Sequence, residues 1–271
     1  MIATETEVIL ITGGSSGIGK SIGNFLLSKG YKVYGTSRTP QKYPDASFPL
    51  VTLDVAQKDQ INTVVQEIYS KEGRIDVLIN NAGIGITGPV EETPNEEILK
   101  AFAVNFFGPI DMIKAVLPCM RKQHKGLIIN ITSIAGYIGL PYRGVYSATK
   151  SALEIITESL RTETKDFGIR MANLAPGDFA TDIAQRRFHS PVIKESPYEH
   201  SYKNTLQLIN NHVDKGLDPI VVAKAVFKIM NQQNPKIHYK TGSFFQKFSI
   251  ILKRILPDRI FERLILNHHN L

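Results

Sequence analysis

The stretch Val8-Ile9-Leu10-Ile11-Thr12-Gly13-Gly14-Ser15-Ser16-Gly17-Ile18-Gly19 decides the fold. Four apolar residues with no polar break read as a buried strand, and an apolar-periodic helix follows the glycines. Between the two, glycines permit positive φ and close approach of a pyrophosphate, while unpaired amides at the helix start attract the anion. A plain strand-to-helix turn needs neither the spaced glycines nor the two serines. Gly13, Ser15, Ser16, Gly17, Ile18 and Gly19 therefore read as a dinucleotide phosphate loop. Its spacing, Gly-x-x-x-Gly-x-Gly, differs from the commoner Gly-x-Gly-x-x-Gly.

Outward from this loop, apolar runs at 8–11, 32–36, 49–53, 75–79, 127–132, 169–174 and 236–239 alternate with helix-like stretches. Short connections and right-handed crossovers then predict an α/β fold: a doubly wound, Rossmann-type parallel sheet of about seven strands with helices on both faces. Residues just after strands, namely the phosphate loop, Arg38, Asp54, Asn81 to Gly83, Ser133 and Pro176 to Thr181, are expected along one edge. The second strand ends in Ser37-Arg38 with no acidic residue in the turn. An acid there would accept hydrogen bonds from a ribose 2′-hydroxyl, whereas a guanidinium suits a 2′-phosphate, so NADP is expected rather than NAD.

Tyr146 and Lys150 stand one helical turn apart. An ammonium near a phenol favours its ionised form, which bare tyrosine reaches only near pH ~10, and the pair reads as a proton-transfer centre. With Asn80-Asn81-Ala82-Gly83, Asn105, Ser133 and Pro176-Gly177-Asp178-Phe179-Ala180-Thr181 in that order, the chain resembles the short-chain dehydrogenase/reductase family in its compact one-domain branch. The likeness runs from about Glu7 to Gly242. It implies that Tyr146 transfers the proton, Ser133 hydrogen-bonds the carbonyl oxygen, Lys150 binds the nicotinamide ribose, and Asn105 holds a water leading to solvent. It places Asp54 and Val55 at the adenine, Asn81, Ala82 and Gly83 beside the cofactor, and Pro176, Gly177, Phe179 and Thr181 around the carboxamide and pyrophosphate. A homodimer or homotetramer is implied as well.

A chain of 271 residues, 42% hydrophobic and 21% charged, suits one large domain, read as 1–242 with an extension over 243–271. The single Cys119 excludes an intramolecular disulfide and argues for a reducing compartment. No basic segment followed by an apolar one precedes the first strand, and no uninterrupted apolar run reaches bilayer length, so cytoplasmic residence is expected. The net charge of +7 is dispersed, with no aromatic-interleaved basic stripe, and nucleic acid is not an expected partner. The seven histidines show no metal-ligand spacing, and no metal is expected.

The reaction expected is interconversion of an alcohol and its carbonyl on a small molecule. Ile138-Gly139-Leu140-Pro141-Tyr142, Phe179 and Phe188 are expected to enclose a hydrophobic substrate. The first of these segments resembles hydroxysteroid and retinol dehydrogenases, which implies a steroid, retinoid or other lipid-like compound. Residues 182–215 read as a lid. From Ser243 to Pro257, and again through Ile260, Phe261, Leu264 and Ile265, apolar residues recur at helical spacing among Lys247, Lys253, Arg254, Arg259 and Arg263. This tail reads first as packing over the substrate entrance or a partner subunit, and second as a peripheral contact with an anionic membrane. Alternatives to the alcohol and carbonyl reading are a 3-oxoacyl thioester reductase, a non-catalytic dinucleotide sensor, and a nucleotide-sugar epimerase or dehydratase, whose branch normally has another glycine motif and a longer substrate domain.

Overall fold

The computed structural model describes residues 6–179, 187–214, 216–269 and 271. The first half of the chain runs β1 (Val8–Ile11), α1 (Gly17–Ser28), β2 (Lys32–Ser37), β3 (Leu50–Thr52), α2 (Lys58–Glu72), β4 (Val77–Asn80), β5 (Ile86–Thr87), α3 (Asn95–Phe102) and α4 (Gly108–Lys122). It continues with β6 (Gly126–Ile131), α5 (Gly144–Glu163), β7 (Ile169–Pro176), β8 (Phe188–His189), α6 (Glu199–Asp214), α7 (Ile220–Met230), β9 (His238–Thr241), α8 (Phe244–Ile255) and α9 (Asp258–His269). Seven strands form one parallel sheet in the order β3-β2-β1-β4-β6-β7-β9, the doubly wound arrangement expected.

Strict alternation along β1 divides the core. Leu10 joins Ile61, Val65 and Ile68 of α2 and Met112, Val116 and Met120 of α4 on one face. Ile9 and Ile11 join Ile22 and Leu26 of α1 and Val222, Val226 and Ile229 of α7 on the other. Because both faces are covered, the central strands read as unbroken apolar runs. The strand order reverses between β1 and β4, which opens the crevice where such sheets take ligands.

The structure adds elements that periodicity cannot show and corrects some readings. β5 and β8 pair in parallel, Ile86 with Phe188 and Thr87 with His189, and each is only two residues long. The 182–215 stretch, read as a lid, contains β8 and α6, whose Tyr202 is fully buried and donates to the carbonyl oxygens of Thr87 and Ser190; residues 182–186 lie outside the described residues. Helices α3 and α4 run on through a π-helical segment, Ala103–Phe107, and the whole stretch Asn95–Lys122 has the length and composition to cross a bilayer. One side of it, with Ala101, Asn105, Met112, Ile113 and Val116, is buried against the domain, while Leu99 and Phe107 are exposed. The sequence reading missed this length because charged residues interrupt the apolar run.

The tail folds into α8 and α9. Ser243 and Gln246 form a capping box at the start of α8. Ile250 is buried against Ile134, Ile138 and Ala175, with Leu140, Phe261 and Ile265 packed around them. Ile138 and Leu140 are thus spent on the tail rather than on a substrate pocket. Phe188 is tied into the β5–β8 pair and likewise does not line the cleft described next.

Candidate active site

A cleft of about 290 Å³ runs along the carboxyl ends of the strands. It gathers Gly13, Ser15, Ser16, Gly17 and Ile18 after β1, Ser37 and Arg38 after β2, and Asp54 and Val55 after β3. Asn81, Ala82 and Gly83 follow β4, Ser133 follows β6, Tyr146 and Lys150 project from α5, and Pro176, Gly177 and Phe179 close the far side at β7. Thr181 lies outside the described residues.

The glycine-loop end is built by close backbone contact. Gly13 and Gly17 adopt φ of 66° and 52°, the left-handed region open to glycine. Thr12 Oγ1 accepts from the amides of Asn81 and Ala82, each at 3.0 Å, while Asn81 Nδ2 donates to the carbonyls of Thr12 at 3.0 Å and Gly13 at 3.1 Å. These bonds join the loop after β1 to the turn after β4 across the switch point. Gly19 does not line the cleft. It sits behind the loop, where a Cβ would fall 2.2 Å from Gly13 O and 2.5 Å from Asn81 Nδ2, and so lets α1 press against the turn.

Arg38 is the first residue past β2, exposed, with no carboxylate partner among the described residues. Ser37 is held beneath it, its Oγ accepting from Thr39 N at 3.2 Å. Asp54 Oδ1 accepts from Ala56 N at 3.0 Å, which fixes the turn after β3. A positively charged rim above a glycine-lined anion cradle fits a dinucleotide.

At the other end, Ser133 opens a short 3-10 turn, Ile134–Gly136, and its Oγ accepts from Ala135 N at 3.1 Å. Lys150 is buried, 5% exposed, and its Nζ donates to Ile131 O at 3.0 Å. Burial pushes the Lys150 ammonium below its usual range, while the nearby Tyr146 and Glu154 work against that shift. Glu154 lies a further turn along α5 and is almost fully buried. Its carboxylate accepts from the Thr132 hydroxyl, from Tyr137 OH at 2.8 Å, and meets His238 Nδ1 at 2.8 Å. Tyr146, Lys150 and Glu154 therefore form one stripe of α5. Sequence reasoning missed Glu154, although its spacing from Lys150 was the available signal.

Asn105 sits in the π-helical segment, wholly buried. Its Oδ1 accepts from Ile84 N at 2.8 Å, and its Nδ2 donates to Ile84 O at 2.9 Å and Thr149 Oγ1 at 3.2 Å. A Cβ on Gly83 would stand 3.2 Å from Asn105 Oδ1 and 3.5 Å from Lys150 Nζ. Asn105 thus lies behind the cleft wall, bracing the chain that passes Lys150. Cleft residues that the sequence reading did not identify include Ile84, Ile86, Val104, Arg143 and Arg187.

The tail reaches the site through the loop after β7. Gln246 Nε2 donates to Asp178 Oδ2 at 2.6 Å, and a Cβ on Gly177 would meet Gln246 Oε1 at 2.1 Å.

Alanine at Gly19 is expected to destabilise the fold by about 1–3 kcal/mol through overpacking. It should also weaken binding of a dinucleotide, because the displaced atoms are Gly13 O and the Asn81 amide. Alanine at Gly139, where a Cβ meets nothing within 4 Å, is the control expected to change neither. Urea denaturation and cofactor titration check both.

Comparison with known proteins gives a consistent family. The short chain dehydrogenase family matches residues 7–191. The chain is 39% identical to a 3-ketodihydrosphingosine reductase of Bacteroides thetaiotaomicron, over 95% of this chain and 96% of the relative. A short-chain dehydrogenase of Streptomyces avermitilis superposes with a TM-score of 0.81 at 29% identity, covering 98% of this chain and 96% of that one. ElxO with NADP bound superposes with a TM-score of 0.70 at 31% identity, over 87% of this chain and 96% of that one. The chain belongs to the short-chain dehydrogenase family and is an NAD(P)-dependent oxidoreductase.

Proposed function

We propose that the protein is an NADP(H)-dependent oxidoreductase that interconverts an alcohol and its carbonyl on a lipid-like small molecule, with Tyr146 as the proton-transfer residue. The observation that carries the reading is the placement of Ser133, Tyr146 and Lys150 on one side of a cleft whose other end is the glycine-lined loop and Arg38. When bound, the nicotinamide supplies or accepts the hydride. Ser133 holds the substrate oxygen, and Tyr146 gives it a proton in reduction or removes one in oxidation. Lys150, fixed through Ile131 O, places its positive charge beside the phenol, so that negative charge left there during proton transfer is neutralised. The buried Glu154 cluster fixes the α5 stripe from behind.

NADP is the proposed cofactor because Arg38, with no carboxylate partner among the described residues, presents its guanidinium at the end of the cleft where a 2′-phosphate is expected; ElxO, 31% identical, is a neighbour with NADP bound. Ile84, Ile86, Val104 and Phe179 give the cleft apolar walls suited to an aliphatic body, and the reductase from Bacteroides thetaiotaomicron supports a lipid ketone. Residues 1–242 are proposed as the cofactor-binding and catalytic domain. Exposed Leu99, Phe107 and Ile155 on α3, at the end of the π-helical segment and on α5 are proposed as the surface of a dimer or tetramer.

The extension 243–271 is proposed to act with both its faces. Its inner face packs against Ile134 and Ala175, with Lys253 Nζ donating to Tyr137 O at 2.8 Å, while Phe244, Phe245, Ile251 and Ile255 stay exposed beside Lys247 and Arg254, a combination suited to an anionic membrane surface.

Two outcomes are expected. Arg38→Ala should weaken NADPH by roughly ten- to a hundredfold, the loss of charge-assisted hydrogen bonds, and leave NADH within about threefold. Equal losses for the two cofactors would remove the 2′-phosphate assignment. In co-sedimentation with anionic vesicles the protein should partition to the pellet, and Phe245→Glu should return it to the supernatant. A protein that never pellets contradicts the membrane contact.

A further inference from the structure

Two guanidinium groups stand in the cleft beside Tyr146, and the reaction proposed above uses neither. Arg143, the residue just before α5, holds its Cζ 5.4 Å from the centre of the Tyr146 ring. Arg187 crosses the wall formed by Gly85, where a Cβ would meet its Cγ at 2.8 Å and its Nε at 3.0 Å. The backbone on either side of that contact is fixed: Phe188 N donates to Gly85 O at 3.0 Å, and Phe188 pairs with Ile86. Gly85 is therefore a seat for the arginine stem, and the Arg187 head is placed rather than loose.

Arg187 Nη1 is buried and has no hydrogen-bond partner among the described residues. A buried donor of this kind is unfavourable unless an acceptor arrives. Burial, with the field of Arg143 added, pushes Arg187 down to about 10; Tyr146, Asp178 and Tyr202 oppose the shift more weakly. Asp178 is itself engaged by Gln246 of the tail. The cleft thus holds two like charges that repel each other, and neither forms an ion pair with a carboxylate among the described residues, although Asp178 lies in the same cleft. The phosphate-binding elements lie elsewhere, after β1 and β2, whereas Arg187 sits past Gly83 on the Tyr146 side.

We propose that Arg187, assisted by Arg143, binds an anionic group of the substrate, a carboxylate or a phosphate carried by an otherwise apolar carbonyl compound. The proposal rests on the reductase reading and names the substrate class of the same site. It changes the expectation of a wholly apolar pocket: the body of the substrate meets Ile84, Ile86 and Phe179, and its acid meets the guanidinium pair. Arg187 acts as a specificity residue, through the planar fork that matches such oxyanions.

The test is calorimetric titration of the NADPH-saturated protein at pH 7 with decanoate, decyl phosphate, decanamide and decylamine. At least one anion should bind about tenfold or more tighter than decanamide, and the amine should bind most weakly. The stronger of the two anions identifies the acid. Arg187→Gln should bring anion and amide within about twofold, with the NADPH dissociation constant unchanged; Arg187→Lys should keep part of the preference. If Arg187→Gln does not fold, Arg143→Gln is expected to reduce the same preference. Equal binding of anions and amide by the unaltered protein overturns the proposal, as does a preference that survives Arg187→Gln. A roughly tenfold loss of NADPH affinity in that variant would assign the group to the cofactor and also overturn it. Because turnover is not the readout, anion preference without reduction of any carbonyl would sink the reductase reading alone.

Discussion

The hydrogen bonds between Thr12 and the Asn81 turn hold together everything this site does. β1 and β4 are neighbours at the point where strand order reverses, and helices leave them toward opposite faces. Nothing in a parallel ladder prevents the two strand ends from splaying there. Thr12 Oγ1 takes two amides from the neighbouring turn, and the Asn81 side chain returns two hydrogen bonds to the backbone of the phosphate loop. Because the loop and the turn are tied in this way, α1 can approach only if Gly19 lacks a Cβ. The glycine-lined loop is thus tied to its neighbour by four hydrogen bonds, an arrangement that would reduce the ordering cost of binding an anion there.

A second constraint governs the Tyr146 end of the cleft. Placing a lysine in the interior is unfavourable, and burial lowers its affinity for the proton. The fold compensates with the Ile131 carbonyl and with the field of Glu154, which is itself satisfied by Tyr137 and Thr132 and meets His238. This polar cluster makes the register of α5 hard to slip, so Tyr146 and Lys150 keep their relation to Ser133. Asn105 does the same for the chain that passes Lys150, spending its amide on Ile84 and Thr149. The tail adds a third brace, since Gln246 bonds Asp178 and lies against Gly177. The start of α8 is thereby tied to the loop that borders the cleft.

Much of this was legible in the sequence because buried parallel strands are continuous apolar runs and the site residues follow them directly. The phosphate loop, Arg38, Asp54, Asn81 and Ser133 all reach one cleft for that reason, and Tyr146 and Lys150 join them from α5, where their spacing of one helical turn was the signal. What escaped notice has physical causes. β5 and β8 are too short to show a period, so the seat they build for Arg187 was invisible. Glu154 finds His238 from 84 residues away, a pairing that no local spacing encodes. Ile138 and Leu140 were read as pocket walls since they follow Ser133, yet the tail claims them. An apolar segment next to a site can face either way, and only packing decides.

The central claim is that Tyr146 moves the proton in an alcohol and carbonyl interconversion driven by NADPH. The most direct measurement is nicotinamide oxidation by Tyr146→Phe and the unaltered protein against a panel of aliphatic ketones with and without an acidic group, with NADPH binding measured in parallel. The account predicts turnover by the unaltered protein, a loss of roughly a hundredfold or more in the variant, and NADPH binding within about threefold of the original. Turnover that survives the loss of the phenol hydroxyl would contradict it.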